Sequence, residues 1–309
     1  MICFRHNDMD GFCSAAIVMY HTNSYDTSKF ISSKYDKEED KRNYQRVIDT
    51  ADKNEDIYIV DLSFTEDTYQ FLEALLKKGH KVIWIDHHDS SVQLISRHPE
   101  LAPNRSDYNL KGIVSKEGSG AYLAYKYFNP DKVVPEFIKM VSDYDTFANT
   151  NPNSILYKLG IDIYIDGNDE MGKYKVFTDQ LKRLNFTPNG DNILTTDSLA
   201  IINKGKTVNE YKIANDASHL KAYGYESKLE DGTKIYCINR KSNSLIFGDK
   251  YKEYDAVVVY CFDGTKFNYS MYSHDNVYDC GKYAESKGGG GHKGAAGFSS
   301  TELLFRKVE

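Results

Sequence analysis

Acidic and histidine side chains recur at four points in the chain, each beside an apolar run, and their types suit metal chemistry. They are His6, Asp8 and Asp10, then Asp61, then Asp86, His87 and His88, and last Asp143 and Asp145. Packed together and ionised, so many carboxylates would repel one another, and no matching set of lysines or arginines lies nearby in the sequence. Divalent cations would neutralise them, and the number of candidate ligands suits two ions rather than one.

A pair of divalent cations has a defined chemistry. Two ions about 3.5–4 Å apart can share a bridging hydroxide and stabilise an in-line displacement at phosphorus. Carboxylates mixed with imidazoles favour Mn²⁺, Fe²⁺, Co²⁺ or Zn²⁺ over Ca²⁺. Each residue alone also has a structural explanation, since an aspartate such as Asp61 at a strand end can cap the next helix and His87-His88 fits a solvated turn. The joint pattern favours a metal site.

The elements that must position these residues alternate between strand and helix, which is typical of an α/β domain with a mainly parallel sheet. Strands are predicted at residues 1–5, 57–60 and 81–85. Because sites in such sheets form outside the carboxyl ends of the strands, the patterns that follow these strands should meet at one edge. Ser63, with Glu66 three residues later, predicts the start of the helix between the second and third of these strands.

The sequence pattern divides the chain into three parts. Residues 1–190 are predicted to form the metal-binding domain, 191–215 a connecting helix, and 216–309 a smaller α/β domain. After residue 216 strand-like segments alternate with turns, and Asp263-Gly264 is a hairpin signal. The expected fold is an N-terminal, mainly parallel sheet flanked by helices, joined by a helical linker to the smaller C-terminal domain.

Composition narrows the class of protein. The chain has 309 residues and a net charge of −6, which disfavours stable binding to duplex DNA through its phosphates. Its five cysteines form no C-x-x-C pair, which favours a reducing compartment. The longest apolar stretch, residues 256–262, is too short to span a bilayer, and the N-terminus does not read as a signal peptide. We therefore expect a cytoplasmic protein without a membrane partner.

The acidic and histidine patterns resemble the four motifs of the DHH phosphoesterase superfamily. That superfamily includes RecJ-type exonucleases, oligoribonucleases, cyclic-dinucleotide phosphodiesterases and family II pyrophosphatases. The S-G-A-Y-L helix start at residues 119–123 is also similar to this group. Near the C-terminus, G-G-G-G-H-K-G-A-A-G at residues 288–297 resembles the G-G-G-H motif of the DHH-associated domain. The two motif sets bracket almost the whole chain and fall in the family's order.

The resemblance implies a set of metal ligands. One ion would be held by His6, Asp8 and Asp61, and the other by Asp10, Asp61, His87 and Asp143, with Asp61 bridging the two. Mn²⁺ is the implied metal, with Co²⁺, Mg²⁺ and Fe²⁺ as alternatives.

The resemblance also implies roles next to the metals. His88 would contact the substrate phosphate or help the leaving oxygen depart, and Asp86 would orient a ligand histidine. Either Asp143 or Asp145 could supply the ligand of the fourth motif. The spacing of Asp143 to Phe147 resembles the family pattern and favours Asp143.

The glycine run is predicted to bind substrate. Consecutive glycines let the backbone approach a ligand closely, and successive N–H groups can bind an anion. A flexible linker is the alternative, but a linker does not normally continue into H-K-G-A-A-G. The predicted substrate-binding residues are Gly289, Gly290, Gly291, His292, Lys293, Tyr272 and Arg240. Tyr272 stands where many family members carry an arginine, and a tyrosine cannot supply that residue's bidentate phosphate contact.

These observations lead to one expected function and several alternatives. The resemblance implies a metal-dependent phosphodiesterase that hydrolyses short single-stranded RNA or DNA to mononucleotides, in a cleft between the two domains. Cyclic or linear dinucleotides and 3′-phosphoadenosine 5′-phosphate are alternative substrates. A pyrophosphatase is opposed by the G-G-G-H motif, and a processive exonuclease by the short, acidic chain. A nucleotide-binding sensor without activity is opposed by the filled ligand positions. The oligomeric state stays open and includes a homodimer.

Overall fold

The computed structural model describes residues 1–33, 37–106, 109–148, 150–167, 169–184 and 195–308. The chain divides into two compact units, Met1–Val208 and Asn209–Glu309. The domain boundary predicted near residue 190 lies outside the described residues. Among the described residues, no helix combines the length and apolarity needed to cross a membrane.

Strands and helices alternate along the first unit. Its described strands are β1 (Ile2–His6), β2 (Phe30–Ser33), β3 (Ile57–Val60), β4 (Val82–Asp86) and β5 (Leu110–Val114). Its described helices are α1 (Met9–Thr22), α2 (Lys37–Thr50), α3 (Tyr69–Lys77), α4 (Asp89–Arg97), α5 (Gly120–Phe128), α6 (Glu136–Asp145), α7 (Ser154–Gly167), α8 (Glu170–Leu184) and the first part of α9 (Thr196–Tyr223). These strands pair in parallel in the order β2-β1-β3-β4-β5. The predicted α/β class with a parallel N-terminal sheet is confirmed.

Alternate side chains of each strand enter different core layers, which is why short apolar runs form this sheet. In β3, Tyr58 and Val60 belong to the layer that includes α1, α5 and α6. Ile57 and Ile59 belong to the opposite layer, with residues of α2, α3 and α4. Burial on both faces is what a parallel sheet covered by helices requires.

The strand order creates a crevice between β1 and β3. The chain leaves β1 through α1 toward β2 on one side, and it leaves β3 through α3 toward β4 on the other. Connections that diverge from neighbouring strands open a crevice at the carboxyl ends of those strands. His6 ends β1 and Asp61 directly follows β3, so both lie at this crevice.

The helix predicted to open at Ser63 begins later, so that prediction is wrong. Its first residue is Tyr69, and Thr68 precedes it as the cap. The backbone N–H of Thr65 donates to the hydroxyl of Thr68 at 2.9 Å, and Tyr69 N–H donates to the Thr65 carbonyl. A threonine side chain therefore closes a local turn at residues 65–68, and this turn competes with an earlier helix start.

The second unit is built on a mixed sheet. Its described strands are β6 (Tyr225–Lys228), β7 (Lys234–Asn239), β8 (Ala256–Phe262), β9 (Phe267–Tyr272), β10 (Gly290–His292) and β11 (Ala295–Ser300), and the helix α10 (Cys280–Ser286) precedes β10. The order is β10-β11-β9-β8-β7-β6. Only β7 and β8 pair in parallel among these described strands. One core cluster contains Met271, Cys280 and Phe298, and another contains Tyr236, Ile238 and Val257.

His21, near the end of α1, gives the first unit a testable dependence on pH. Its ring stacks on Phe128 with centroids 4.6 Å apart, and Asn129 Nδ2 donates to its Nε2 at 3.0 Å. Asn129 Nδ2 also donates to the Tyr125 carbonyl, which identifies the atom that faces His21 as the amide nitrogen. Because an amide nitrogen only donates, His21 Nε2 must be unprotonated to accept its hydrogen bond. Burial, and then the charge of Lys132, lower the pKa of His21 from 6.5 to about 4.

Acidification is therefore expected to destabilise the folded state through His21. The folded pKa lies below the unfolded one, so the unfolded chain binds the proton first as the pH falls. Stability that is present above pH 6.5 should be lost between pH 6.5 and about 4. We expect a loss of about 2 kcal/mol, allowing for solvent screening of a half-buried ring. Urea unfolding at pH 6.5 and at about pH 4 measures the free energy of unfolding. It should fall less in His21→Gln, which keeps a hydrogen-bond acceptor but cannot titrate. Equal losses in both proteins would contradict the assignment.

Candidate metal centre

The structure gathers acidic and histidine side chains at the carboxyl ends of β1, β3 and β4. Three groups have ligand atoms that all lie within 4.8 Å of one another: His6, Asp8 and Asp61; Asp10, His87 and Asp145; and Asp61, His87 and His88. Asp61 and His87 each belong to two groups. Shared ligands of this kind suit two neighbouring ions better than one.

Asp61 lies at the centre of the cluster. It is 1% exposed, and its Oδ1 lies 3.2 Å from His87 Nε2 while its Oδ2 lies 4.0 Å from His6 Nδ1. Its two oxygens therefore face different histidines. Its backbone has a φ of 51°, in the left-handed region, which costs on the order of 1 kcal/mol or more for a residue with a Cβ. A Cβ on Gly120 would lie 2.6 Å from Asp61 Cβ, so only glycine fits beside it.

Asp10 is held by the start of α5. Its Oδ1 accepts hydrogen bonds from Ser119 Oγ at 2.6 Å and Ala121 N at 3.0 Å, and its Oδ2 accepts from Gly120 N at 2.7 Å. Burial raises the pKa of Asp10, and the charge of His87 and the hydrogen bonds from Ser119 and Ala121 oppose that rise. The start of α5 is visible in the sequence, but its contact with Asp10 is not. A carboxylate offers about four lone pairs, so these bonds leave room for a cation.

The spacing of the first motif has a local explanation. Asp8 caps α1, because its Oδ1 accepts from Gly11 N at 2.9 Å, while its Oδ2 lies 2.8 Å from His6 Nδ1. A Cβ on Gly11 would lie 2.2 Å from the His6 carbonyl oxygen, so the first turn of α1 needs glycine there. Burial pushes the pKa of Asp8 upward, but the hydrogen bond and charge of His6 outweigh it, and the pKa lies below its usual value.

The fourth acidic residue of the cluster is Asp145, whereas the spacing had favoured Asp143. Asp145 Oδ2 lies 3.2 Å from His87 Nε2. Asp143 instead accepts hydrogen bonds from the backbone N–H groups of Thr150 at 2.7 Å and Asn151 at 3.2 Å. Two residues along a helix are about 200° apart, so α6 can present only one of these carboxylates to the cluster.

Asp86 contacts His88 rather than the predicted ligand His87. Its Oδ1 lies 2.7 Å from His88 Nδ1, and Asp86 is fully buried. Such a pairing fixes the orientation of the imidazole ring. Burial by itself lowers the pKa of His88, but the hydrogen bond and charge of Asp86 outweigh it and raise the pKa. The Asp86 contact stabilises the protonated form of His88, and that form can donate a proton to a leaving oxygen.

The electrostatics of the cluster fit bound cations. Burial, and then repulsion from Asp10 and Asp8, raise the pKa of Asp61 well above its usual value and that of Asp145 to about 8. Burial lowers the pKa of His87 and favours the neutral ring that a metal ligand needs. Within the described residues, one buried oxygen of each of three carboxylates accepts no hydrogen bond: Oδ2 of Asp61, of Asp86 and of Asp145. Carboxylates of this kind, mixed with imidazoles, suit divalent transition metals.

The glycine run of the second unit is an edge hairpin in which two glycines have packing reasons. A Cβ on Gly289 would lie 2.2 Å from the Gly297 carbonyl oxygen. Gly291 has a φ of 144°, and a Cβ there would lie 2.6 Å from Ala296 Cα. Gly290 has neither constraint, because its φ lies outside the left-handed region and a Cβ would meet no described atom within 4 Å.

Several predicted substrate-binding residues project from one face of the second sheet. Gly290 pairs with Gly297, which pairs with Ser270, and His292 pairs with Ala295, which pairs with Tyr272. Directly paired residues of antiparallel strands project from the same face. We call the face that carries Gly290, His292, Ser270 and Tyr272 the glycine face.

Arg240 and Lys293 complete the predicted set. Arg240 and Ser270 line a cavity of about 420 Å³ in the second unit. Arg240 Nη2 also lies 3.0 Å from Asp216 Oδ1, so part of its charge is already paired. Lys293 is exposed at the turn between β10 and β11.

Residues 1–147 of the chain match the model of the DHH family, N-terminal domain. An uncharacterized protein, R106, of Acanthamoeba polyphaga mimivirus is 24% identical over 97% of this chain and 68% of its own length.

Solved structures share the fold. The pGpG-specific phosphodiesterase PggH of Vibrio cholerae has a TM-score of 0.54 and 11% identity, over 97% of this chain and 93% of its own. The DHH domain of a member of a family of ribosomal proteins has a TM-score of 0.50 and 17% identity, over 96% of this chain and 81% of its own. At these identities the likeness concerns the fold alone.

Proposed function

We propose that the protein is a metal-dependent phosphoesterase that hydrolyses short oligonucleotides to mononucleotides. The observation that carries the proposal is Asp61, a buried carboxylate whose two oxygens face His6 and His87 in two ligand groups. The proposed ligands are His6, Asp8 and Asp61 for one ion, and Asp10, Asp61, His87 and Asp145 for the other. When bound, two divalent cations, with Mn²⁺ as the first candidate, supply charge neutralisation and an activated nucleophile for in-line displacement at phosphorus.

The chain's own residues then have distinct roles. Asp86 holds His88 by its Nδ1, and we assign to His88 the proton that the leaving oxygen accepts. Asp61 and Asp10 keep a fixed position because α5 packs against the first and donates hydrogen bonds to the second. A fixed polar site needs little rearrangement during the reaction.

We also propose that the glycine face of the second unit binds nucleotide. Gly290 leaves space for close approach, the Tyr272 ring can stack on a base, and His292 and Lys293 offer donors to phosphate. A linear dinucleotide is the second candidate substrate. The shared fold of the pGpG-specific phosphodiesterase supports this alternative.

The proposal is tested by incubating the protein with Mn²⁺ and labelled RNA and DNA from dimers to 24-mers, cyclic and linear dinucleotides, 3′-phosphoadenosine 5′-phosphate and pyrophosphate. We expect release of mononucleotides, fastest from the shortest oligomers, and no release by an Asp86→Ala, His87→Ala double variant. Cleavage of pyrophosphate or cyclic dinucleotides alone would overturn the substrate class. No cleavage of any substrate with Mn²⁺, Co²⁺, Mg²⁺ or Fe²⁺ would favour a nucleotide-binding sensor.

Gly290 and Gly291 form a matched pair for testing the glycine face. Gly290→Ala should fold normally but bind a phosphorothioate-linked dinucleotide about tenfold more weakly, since its methyl group occupies the open face. Gly291→Ala should lose about 2 kcal/mol of stability, because alanine disfavours its backbone conformation and meets Ala296. Calorimetric binding and urea unfolding measure the two effects. Wild-type affinity in Gly290→Ala would contradict nucleotide binding by the glycine face.

A further inference from the structure

Asn7 lies between the candidate ligands His6 and Asp8, and its side-chain amide is held in one orientation. Its Oδ1 accepts a hydrogen bond from Ser32 Oγ at 2.9 Å and lies 3.4 Å from Arg5 Nη1. A guanidinium group only donates, so the atom that faces Arg5 must be the oxygen of the amide. The amino group of Asn7 therefore points away from Arg5 and Ser32.

Arg5 is an unusually fixed support for this amide. It is 1% exposed, and its guanidinium lies 3.6 Å from the centre of the Phe12 ring. Its Nε donates to Tyr174 Oη at 2.7 Å, and its Nη2 donates to Glu170 Oε1 at 3.0 Å. Its Nη1 also donates to the His6 carbonyl at 3.0 Å. Arg5 thus holds the backbone of His6 and the side chain of Asn7 together.

The amino group of Asn7 is available to a ligand. Asn7 is exposed, and within the described residues its Nδ2 donates to no protein acceptor. The neighbouring carboxylates, when ionised, can only accept hydrogen bonds. A phosphate ester brings further acceptor oxygens, which need donors beside any cation.

We propose that Asn7 Nδ2 donates a hydrogen bond to a non-bridging phosphoryl oxygen of the substrate, and that Arg5 and Ser32 are positioning residues for it. The inference rests on the proposed phosphoesterase function and names one of its phosphate contacts. A donor fixed before the substrate arrives stabilises charge on that oxygen without rearrangement of the site.

A purely structural role for Asn7 makes a different prediction. Aspartate has the same shape and accepts from Ser32 and Arg5 at least as well, because it adds a charge opposite Arg5. A structural role would therefore be kept in Asn7→Asp. A substrate contact would not, since the variant lacks the amino group and places a carboxylate against the phosphate.

The test uses the full chain with Mn²⁺, the p-nitrophenyl ester of thymidine 5′-phosphate as substrate, and inorganic phosphate as the ligand in calorimetry. We expect Asn7→Asp to keep the wild-type unfolding midpoint, bind phosphate about tenfold more weakly and lose about 100-fold in kcat/KM. Ser32→Ala should lose about threefold in kcat/KM, and this loss should disappear in the Asn7→Ala background.

The outcomes separate this inference from the proposed function. If the wild type hydrolysed the ester and Asn7→Asp had the same kcat/KM and the same affinity for phosphate, the role of Asn7 would be overturned. The proposed phosphoesterase function would then still stand. Additive losses from Ser32→Ala and Asn7→Ala would overturn the positioning role. If the wild type hydrolysed no ester but Asn7→Asp still weakened phosphate binding, the contact would stand and the proposed function would fall.

Discussion

Replacing Asp61 with asparagine is expected to abolish phosphoester hydrolysis and to stabilise the metal-free protein. The variant keeps the size of the side chain but removes a buried carboxyl group, whose ionisation is opposed by burial and by the neighbouring carboxylates. Without that charge, both ligand groups lose their common member, and we expect kcat/KM to fall about a thousandfold or more. In metal-free protein the same change removes repulsion, and we expect a gain of about 1–2 kcal/mol.

Thermal unfolding with and without Mn²⁺ measures both effects. A wild-type protein at 100 times its dissociation constant for Mn²⁺ gains about 2.7 kcal/mol from binding, and Asp61→Asn should lose most of this gain. Asp131→Asn, an exposed carboxylate in the segment between α5 and α6, serves as the control that removes one charge elsewhere. A metal-free Asp61→Asn protein that unfolds more easily than the wild type would contradict the like-charge account of the cluster.

The pair Asp145→Asn and Asp143→Asn is expected to separate activity from stability within one helix. Asp145 lies against His87, so its variant should lose about 100-fold in kcat/KM while folding at least as well as the wild type. Asp143 accepts backbone hydrogen bonds from Thr150 and Asn151, so its variant should lose about 1–2 kcal/mol of stability.

Kinetics and urea unfolding of both proteins decide between the two carboxylates. Each variant is the control for the other, since both remove one charge from α6 and differ only in the direction that the residue faces. If Asp143→Asn were the inactive and stable variant, the metal ligand would be Asp143, as the sequence spacing had favoured.

The fold class was predictable from local signals. Apolar runs at residues 57–60 and 82–85 are buried on both faces, and the polar residues that follow them end the strands. Parallel strands joined by helices must bring their carboxyl ends to one edge, so the meeting of His6, Asp61 and Asp86 followed from connectivity. The predicted start of α3 was wrong for a local reason, since the side chain of Thr68 closes a turn with Thr65.

The contacts around Asp10 were beyond sequence reasoning. Ser119 and Gly120 lie more than a hundred residues further along the chain, and only the packing of α5 beside α1 brings them to this carboxylate. The same limit applies to Asn7, because its orientation depends on Arg5, and Arg5 is in turn held by Glu170 and Tyr174 of α8.

The sequence by itself determined the residue types and the order of the ligand motifs, because H-x-D-x-D-G and D-H-H are local features of the chain. It also determined which strands end in those motifs. Tertiary structure alone decided which carboxylate of α6 joins the cluster and which glycine of the run leaves open space. The physical reason is that both depend on how a helix or strand is rotated about its own axis relative to the elements that pack against it. Packing against side chains distant in sequence sets the rotation of α6. Pairing with β11 sets which face of the sheet each residue of β10 lies on.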